Sequence, residues 1–363
     1  MQRSDSQLAL DTLAYVLELH PELTKGASSI AFMRGQPHEG LTSWSEKIVC
    51  EQIYKPRATK LEEAGMKLVD RIEGEHDLVL LLPERQREQT LADMARAFDL
   101  LKPGGTVVIS LHNDWGAKRF EKHLEELAGP VETISKHHCR VFWAKKGKEL
   151  NNALLDEWRP LADLRRLAEG DFWSKPGLFA WDHVDEASAL LVRTLPKTMH
   201  GYVADLGAGW GCLSVGVLKN FENVLGLEAF EADRDAVEAA RRNIGNVKGV
   251  PFRPKVFWQD VTLGVGERKF DYVIMNPPFH EGREPDPTIG MKFITAAARC
   301  MKAEGQLWLV ANRQLPYEEL LQEVFDSTQQ VTQEGNFKVI KAIMPRHDLF
   351  FHRKRRQKTW SYR

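Results

Sequence analysis

YVADLGAGWG, at residues 202–211, joins a short apolar stretch to an acidic residue and a glycine-rich turn. Residues 202–206 predict a buried β-strand, and residues 212–219 predict a helix after the turn. This order is typical of α/β folds in which the backbone approaches a nucleotide-like ligand. The spacing is G-x-G-x-G, whereas dinucleotide-binding turns have G-x-G-x-x-G. The acid before the turn disfavours a pyrophosphate and favours a ligand with an ammonium group. The candidate binding residues are Asp205, Gly207, Ala208, Gly209 and Gly211.

Two further acids are predicted at the ends of the next two strands. Residues 223–227 predict a strand that ends at Glu228, with Ala229 after it, and residues 255–258 predict one followed by Asp260. In such folds, a carboxylate about 20 residues beyond the glycine turn binds ribose hydroxyls. A polar group at the third strand end suits an adenine amino group. Together with Asp205, these residues predict one ligand with adenosine and amino-acid parts, S-adenosylmethionine.

A fourth strand, residues 270–275, ends abruptly in Asn276-Pro277-Pro278-Phe279. Proline cannot donate a hydrogen bond to a sheet and fixes the local backbone. The Asn276 side chain and the Pro277 carbonyl therefore offer two acceptors beyond the strand, and Phe279 offers a flat face. This combination suits a planar group that bears an NH2, although a rigid structural loop is the alternative.

The composition indicates the class of protein. A chain of 363 residues with 43% hydrophobic residues is long enough for two domains, and its net charge of −1 points to no particular partner. The four scattered cysteines fit neither a disulfide framework nor a zinc site. No leader sequence or membrane-spanning stretch is evident, so we expect a cytoplasmic protein. We also expect a monomer that needs no metal.

The first half of the chain repeats the order of predicted strands and turns found in the second half. Residues 77–82 correspond to 271–275, 101–106 to 301–306, and 140–144 to 337–342. The first copy has Pro83-Glu84-Arg85 in place of the Asn276 motif and lacks the glycine turn. Strands that alternate with helices predict parallel sheets. We therefore predict an α/β protein with two tandem Rossmann-like domains, of which the first has lost the chemistry.

The remaining segments are a linker and a tail. Residues 146–180 are polar and helical at first and then contain a Pro-Gly turn near Phe179, which predicts a linker and a lid. Residues 346–363 interleave basic and aromatic residues, which suits either RNA contact or a solvated tail. The predicted domains are 1–145, for RNA binding or support, and 181–345, for catalysis.

Residues 203–211, Glu228, Asp260 and 276–279 together resemble class I S-adenosylmethionine-dependent methyltransferases that act on amines. More narrowly, the chain is similar to bacterial methyltransferases of guanine N2 in 16S ribosomal RNA. The motifs that carry this resemblance are NPPFHEG at 276–282, KPGLF at 175–179, VANRQLPY at 310–317 and GNFKV at 335–339. Two positions depart mildly from the family, which commonly has Cys at Ala208 and Asp at Glu228.

The resemblance implies a fold of two class I methyltransferase domains and a transfer of methyl to an exocyclic amine. Asn276, Pro277, Pro278 and Phe279 would be catalytic, with Phe279, His280 and Phe179 near the substrate and Asn276 also near the cofactor. The partner would be ribosomal RNA or the small ribosomal subunit. The alternatives are another planar NH2, in a 23S ribosomal RNA guanine, a DNA adenine or a protein glutamine, and a non-catalytic RNA-binding assembly factor.

Overall fold

The computed structural model describes residues 4–168, 171–266, 270–279 and 287–349. Contacts divide the chain into two units. The first unit comprises Met1–Asp163 with Lys175–Gly177, and the second unit comprises Leu164–Ser174 with Leu178–Arg363. The domain boundaries given by the sequence analysis remain predictions.

The first unit is one mixed sheet with helices. Its helices are α1 (Asp5–Leu19), α2 (Lys55–Glu63), α3 (Arg87–Asp99), α4 (Ala117–Ala128) and α5 (Asn152–Trp158). Its strands are β1 (Ile30–Met33), β2 (Ile48–Glu51), β3 (Lys67–Val69), β4 (His76–Leu81), β5 (Leu101–His112), β6 (Glu132–Lys136) and β7 (Cys139–Lys145). The order across the sheet is β3-β2-β1-β4-β5-β7-β6, and β7 alone runs antiparallel to both of its neighbours.

The second unit contains an equivalent sheet. Its helices are α6 (Glu186–Thr194), α7 (Cys212–Asn220), α8 (Arg234–Gly245), α9 (Pro287–Cys300) and α10 (Glu318–Val324). Its strands are β8 (Arg165–Arg166), β9 (Trp173–Ser174), β10 (Gly201–Leu206), β11 (Val224–Glu231), β12 (Lys255–Trp258), β13 (Phe270–Met275), β14 (Met301–Asn312), β15 (Phe325–Glu334) and β16 (Phe337–Pro345). The large sheet has the order β12-β11-β10-β13-β14-β16-β15, and β8 pairs with β9 separately.

The two sheets share an irregularity as well as an order. In the first, the register shifts between Leu101 and Thr106 where β5 pairs with β4. In the second, it shifts between Met301 and Gln306 where β14 pairs with β13. A bulge is a specific local feature of a strand. Its recurrence at the positions that the sequence aligns supports an internal duplication.

Alternate side chains of a strand point to opposite faces of the sheet, and at the central strand β13 both faces are buried. On β13, Val273 and Met275 pack in one cluster and Tyr272 and Ile274 in another. Because β10, β11, β12 and β13 run parallel, their carboxyl ends and the loops after them lie at one edge of the sheet.

One predicted strand end is wrong. The sequence analysis ended the second strand of this unit at Glu228, but β11 continues to Glu231. Phe230 and Glu231 pair in register with Phe257 and Trp258 of β12, and the Phe230 ring stacks on Phe257 with centroids 5.2 Å apart. This pairing holds a charged residue, Glu228, inside the strand.

Candidate active site

The glycine turn follows β10 and leads directly into α7. Gly207, Gly209 and Gly211 have φ of 74°, 53° and 90°, in the left-handed region that favours glycine. A Cβ on Gly211 would lie 3.2 Å from the Cα of Ala240, so this glycine lets α8 pack closely against the turn. A Cβ on Gly209 would meet open space. The backbone of the turn is therefore accessible to a ligand at Gly209.

Asp205 lies beneath the turn and is fully buried. Its Oδ2 accepts a hydrogen bond of 2.6 Å from the Ser214 hydroxyl, and its Oδ1 is buried with no hydrogen-bond partner among the described residues. Burial raises the pKa of this carboxyl to about 7, and the nearby charge of Glu231 acts in the same direction. A buried acceptor without a donor is what a cationic or NH-bearing ligand would satisfy.

Glu231, at the end of β11, is the acid that holds the turn. Its Oε2 accepts from the Gly209 amide and its Oε1 accepts from the Asp233 amide, both at 2.8 Å. Desolvation raises the pKa of its carboxyl. This residue was not predicted from the sequence. The predicted residue, Glu228, pairs with Ala204 and Lys255 inside the sheet, and its Oε1 lies 3.8 Å from Lys255 Nζ. The signal that could have found Glu231 is the N-cap of α8 at Asp233, two residues after it, which marks where the connection to the helix begins.

Ala229 and Asp260 were both predicted to bind the cofactor, and both make contacts within the fold. Ala229 is buried in β11 opposite Asp205. Asp260 follows β12 and is 8% exposed. Its Oδ1 accepts from the Thr262 amide at 2.9 Å and from the Thr262 hydroxyl at 2.7 Å. One oxygen of Asp260 therefore caps the short turn at Val261–Leu263.

Asn276 follows β13, and its side chain is held by Asp185, the N-cap of α6, and by Ser188 of α6. Asn276 Nδ2 donates to Asp185 Oδ2 at 2.8 Å and to Ser188 Oγ at 3.0 Å. The Asp185 carboxylate only accepts, so the NH2 end of the amide must face it. The same oxygen caps α6 by accepting from the Ser188 amide at 2.8 Å. Asn276 Oδ1 is thereby left as an acceptor for another group.

The rest of the motif is divided between core and surface. Pro277 is buried, Pro278 is exposed, and Phe279 is half-buried against the core cluster that contains Phe293. The packing fixes one side of the Phe279 ring. The prediction for His280 falls outside the described residues.

A small cavity brings several of these residues together. It is lined by Phe179 and Ala180, by Asp185 and Ser188, by the turn from Gly207 to Leu213 (except Gly211), and by Asn276. The Phe179 side chain is 65% exposed, and its carbonyl accepts from Trp210 Nε1 at 3.0 Å. The cavity lining does not include Glu228, Ala229 or Asp260. The cavity thus joins the glycine turn and Asn276 and adds Asp185 and Ser188, which were not predicted from the sequence, whereas Asp205, Pro277, Pro278 and Phe279 do not line it.

The chain resembles known methyltransferases in sequence. Residues 169–341 match the methyltransferase small domain family. The chain is 29% identical over 297 residues to ribosomal RNA small subunit methyltransferase C of Psychromonas ingrahamii, covering 80% of this chain and 83% of that protein. It is 28% identical over 283 residues to the protein of the same name from Escherichia coli K12, covering 74% and 76%.

A solved structure extends the likeness to the fold. The 16S rRNA N2 G1207 methyltransferase of T. thermophilus, solved with AdoMet and guanosine, superposes with a TM-score of 0.74 over 90% of this chain and 91% of that chain, at 24% identity. This match confirms the predicted fold of two tandem class I methyltransferase-like domains.

Proposed function

We propose that this chain, a methyltransferase related over most of its length to ribosomal RNA small subunit methyltransferase C, methylates the exocyclic N2 amine of a guanine in small-subunit ribosomal RNA, with S-adenosylmethionine as the donor. The observation that carries the proposal is the fixed Asn276 amide, which lies in the same cavity as the glycine turn. The names of the relatives support the choice of substrate.

The residues of the second unit fit this cofactor. When bound, S-adenosylmethionine supplies an electrophilic methyl group, so the protein mainly contributes position. Asp205 Oδ1, buried and without a partner among the described residues, suits the ammonium of the amino-acid part. Gly207 and Gly209 would let the backbone approach this part, and Glu231 replaces Glu228 as the candidate for the ribose hydroxyls. Asp260 remains the candidate for the adenine amine through the oxygen that does not cap its turn.

The chemistry required of the protein is to expose a poor nucleophile. The lone pair of a guanine N2 is delocalised into the ring, and the nitrogen attacks only when the lone pair turns out of that conjugation. Asn276 Oδ1 and the Pro277 carbonyl would accept its two hydrogens and direct the lone pair toward the methyl group. Because Asp185 and Ser188 hold the Nδ2 end, Asn276 cannot turn its NH2 toward the amine. The nitrogen becomes acidic as it is methylated, so its proton can pass to water.

Phe279 would stack on the target base, worth roughly 1–3 kcal/mol. A guanine can reach this cavity only when it is unpaired or flipped out of a helix. Phe179, exposed at the rim, is the second candidate for contact with the base. We assign the first unit a role in RNA binding or support. We place the enzyme in the cytoplasm as a monomer without a metal. Among the described helices, none is long and apolar enough to cross a membrane.

The test is a methylation assay with labelled cofactor on naked ribosomal RNA, assembled small subunits, DNA and protein, followed by nucleoside and amino-acid analysis. We expect label in N2-methylguanosine of the small-subunit RNA. Label in adenine, in glutamine or in 23S ribosomal RNA would instead identify a different planar amine. Absence of both cofactor binding and methylation would identify a non-catalytic RNA-binding protein.

A further inference from the structure

The first unit carries a group of basic side chains at the edge that corresponds to the active-site edge of the second. Arg85 and Arg87 follow β4, which has the place in its sheet that β13 has in the other. Lys118 and Arg119 begin α4, after β5. These four residues, here called the Arg85 cluster, line one open surface cavity together with Trp115 and Gly116.

The Arg85 cluster combines four exposed positive charges in one cavity. All four side chains are exposed, and none forms an ion pair or a side-chain hydrogen bond with a described residue. The one acid that lines the cavity, Asp114, lies 3.6 Å from His112 Nδ1. Other arginines of this unit do have carboxylate partners: Arg34 with Asp93, Arg57 with Glu84, Arg96 with Glu51, Arg140 with Glu121 and Arg159 with Asp99. Four exposed basic side chains without carboxylate partners among the described residues therefore lie together at this edge.

Two neighbouring features favour an anion with flat groups attached. Helix α4 has Gly116 at its N-cap and no side-chain cap, and Gly116, Lys118 and Arg119 at this helix start line the cavity. Trp115 is half-buried, with its Nε1 donating to Asp5 Oδ2 at 3.2 Å, which fixes the indole beside the basic residues. Cations beside a fixed aromatic ring suit phosphates and bases of a nucleic-acid strand.

A small nucleotide cofactor fits this unit poorly. After β1, in the place of the glycine turn of the second unit, stands Arg34, with φ of 53° and a buried side chain. Its Nε donates to Asp93 Oδ2 at 2.5 Å, and Gln89 Nε2 donates to Asp93 Oδ1 at 2.9 Å. These side chains fill the space below the strand end, so the binding capacity of this edge lies on its surface.

We propose that the Arg85 cluster binds the phosphate backbone of the substrate RNA and so anchors it while a guanine elsewhere in the same RNA is methylated. This inference rests on the proposed function for the identity of the RNA. It adds a specific binding surface to a unit that has no catalytic motif.

The test compares charge reversals in the full-length chain. The anchor variant carries Arg85→Glu, Arg87→Glu and Arg119→Glu, and a milder version carries Gln at the same positions. Binding is measured by fluorescence anisotropy with a labelled fragment of small-subunit ribosomal RNA and with a single-stranded uridine oligonucleotide, over a range of salt. We expect affinity for both RNAs to fall by roughly tenfold or more, and the slope of log affinity against log salt to decrease by about 2, because three phosphate contacts are lost.

The matched control carries Lys25→Glu, Lys60→Glu and Lys67→Glu. These lysines are exposed in the same unit near the amino ends of its parallel strands, and their reversal changes the net charge by the same amount. We expect the control to bind RNA nearly as well as the wild type. Equal losses in the two variants, or none in the anchor variants, would overturn the proposal.

Two further readouts separate this inference from the proposed function. Cofactor affinity by calorimetry and the thermal midpoint should be unchanged in the anchor variants, because the Arg85 cluster is exposed. A wild-type protein that places label elsewhere than guanine N2 refutes the proposed function, while the oligonucleotide measurement still decides whether the Arg85 cluster binds RNA.

Discussion

Replacing Asp205 by asparagine should stabilise the free protein at alkaline pH and impair its binding of the cofactor. The pKa of this buried carboxyl is raised from 3.8 to about 7, so folding keeps an ionised group in an apolar place. Because the folded pKa lies above the unfolded value, the ionised group destabilises the fold. This effect is absent below pH 4, grows between pH 4 and 7, and is complete above pH 7.

The size of the effect follows from the shift in pKa. A difference of about three units corresponds to about 4 kcal/mol of unfolding free energy above pH 7. The asparagine NH2 would replace an oxygen that has no partner among the described residues, and an unsatisfied buried NH2 costs about 1–3 kcal/mol. We therefore expect Asp205→Asn to raise the unfolding free energy by roughly 1–3 kcal/mol at pH 8 and to lose that advantage by pH 5.

The measurement is urea unfolding followed by circular dichroism at pH 5 and pH 8. Ser214→Ala is the matched control, since it removes the 2.6 Å hydrogen bond that supports the ionised form of Asp205. It should destabilise the protein, and more at pH 8 than at pH 5. Calorimetry with S-adenosylmethionine should show weaker binding to Asp205→Asn, and wild-type binding should weaken below pH 7 as the carboxyl is protonated.

Three results would refute this reasoning. Asp205→Asn could be less stable than the wild type at pH 8, its stability difference could be the same at both pH values, or it could bind the cofactor as well as the wild type. The first two would contradict the burial of an ionisable carboxyl. The third would contradict its role as the acceptor for the ammonium.

The other predictions concern the neighbouring residues. Asn276→Ala should lower kcat by roughly 100-fold, the loss typical when one positioned group for the transition state is removed, with little change in RNA affinity; a fully active variant would exclude the mechanism. Glu231→Gln should raise the Kd for S-adenosylmethionine in calorimetry while Glu228→Gln leaves it near the wild-type value, and the reverse order would restore the original prediction. Phe279→Leu should raise the KM for RNA by about 5- to 100-fold through lost stacking, and steady-state kinetics that show an unchanged KM would remove Phe279 from the base-binding surface.

The sequence was informative where local pattern and chemistry coincide. The strand before Asp205, the glycines after it and the helix from Cys212 all follow from short-range pattern, and the structure has them as expected. The acid at the next strand end was misplaced by three residues. Residues 227–231 contain two acids, and this pattern does not show where pairing with β12 stops; only the register with Trp258 places Glu231 at the strand end.

Long-range contacts were beyond the sequence. Asp185 and Asn276 are 91 positions apart, and nothing in either local pattern indicates that one orients the other. The region between β1 and β4 was also left without elements, although it contains β2, α2 and β3. Its strands are only four and three residues long, and such short strands are recognised only by their pairing at the edge of the sheet.

The buried pair of Arg34 and Asp93 has an evolutionary consequence for the first unit. Each residue is 7% exposed, and removing one member of a buried ion pair leaves an uncompensated charge that costs about 3–5 kcal/mol. That loss is a large fraction of the stability of an ordinary domain. A lineage could not return to a glycine turn after β1 through viable single steps, because both charges would have to disappear together. The pair therefore makes the loss of the glycine turn hard to reverse, whereas substitutions on the surface of this unit remain open to selection.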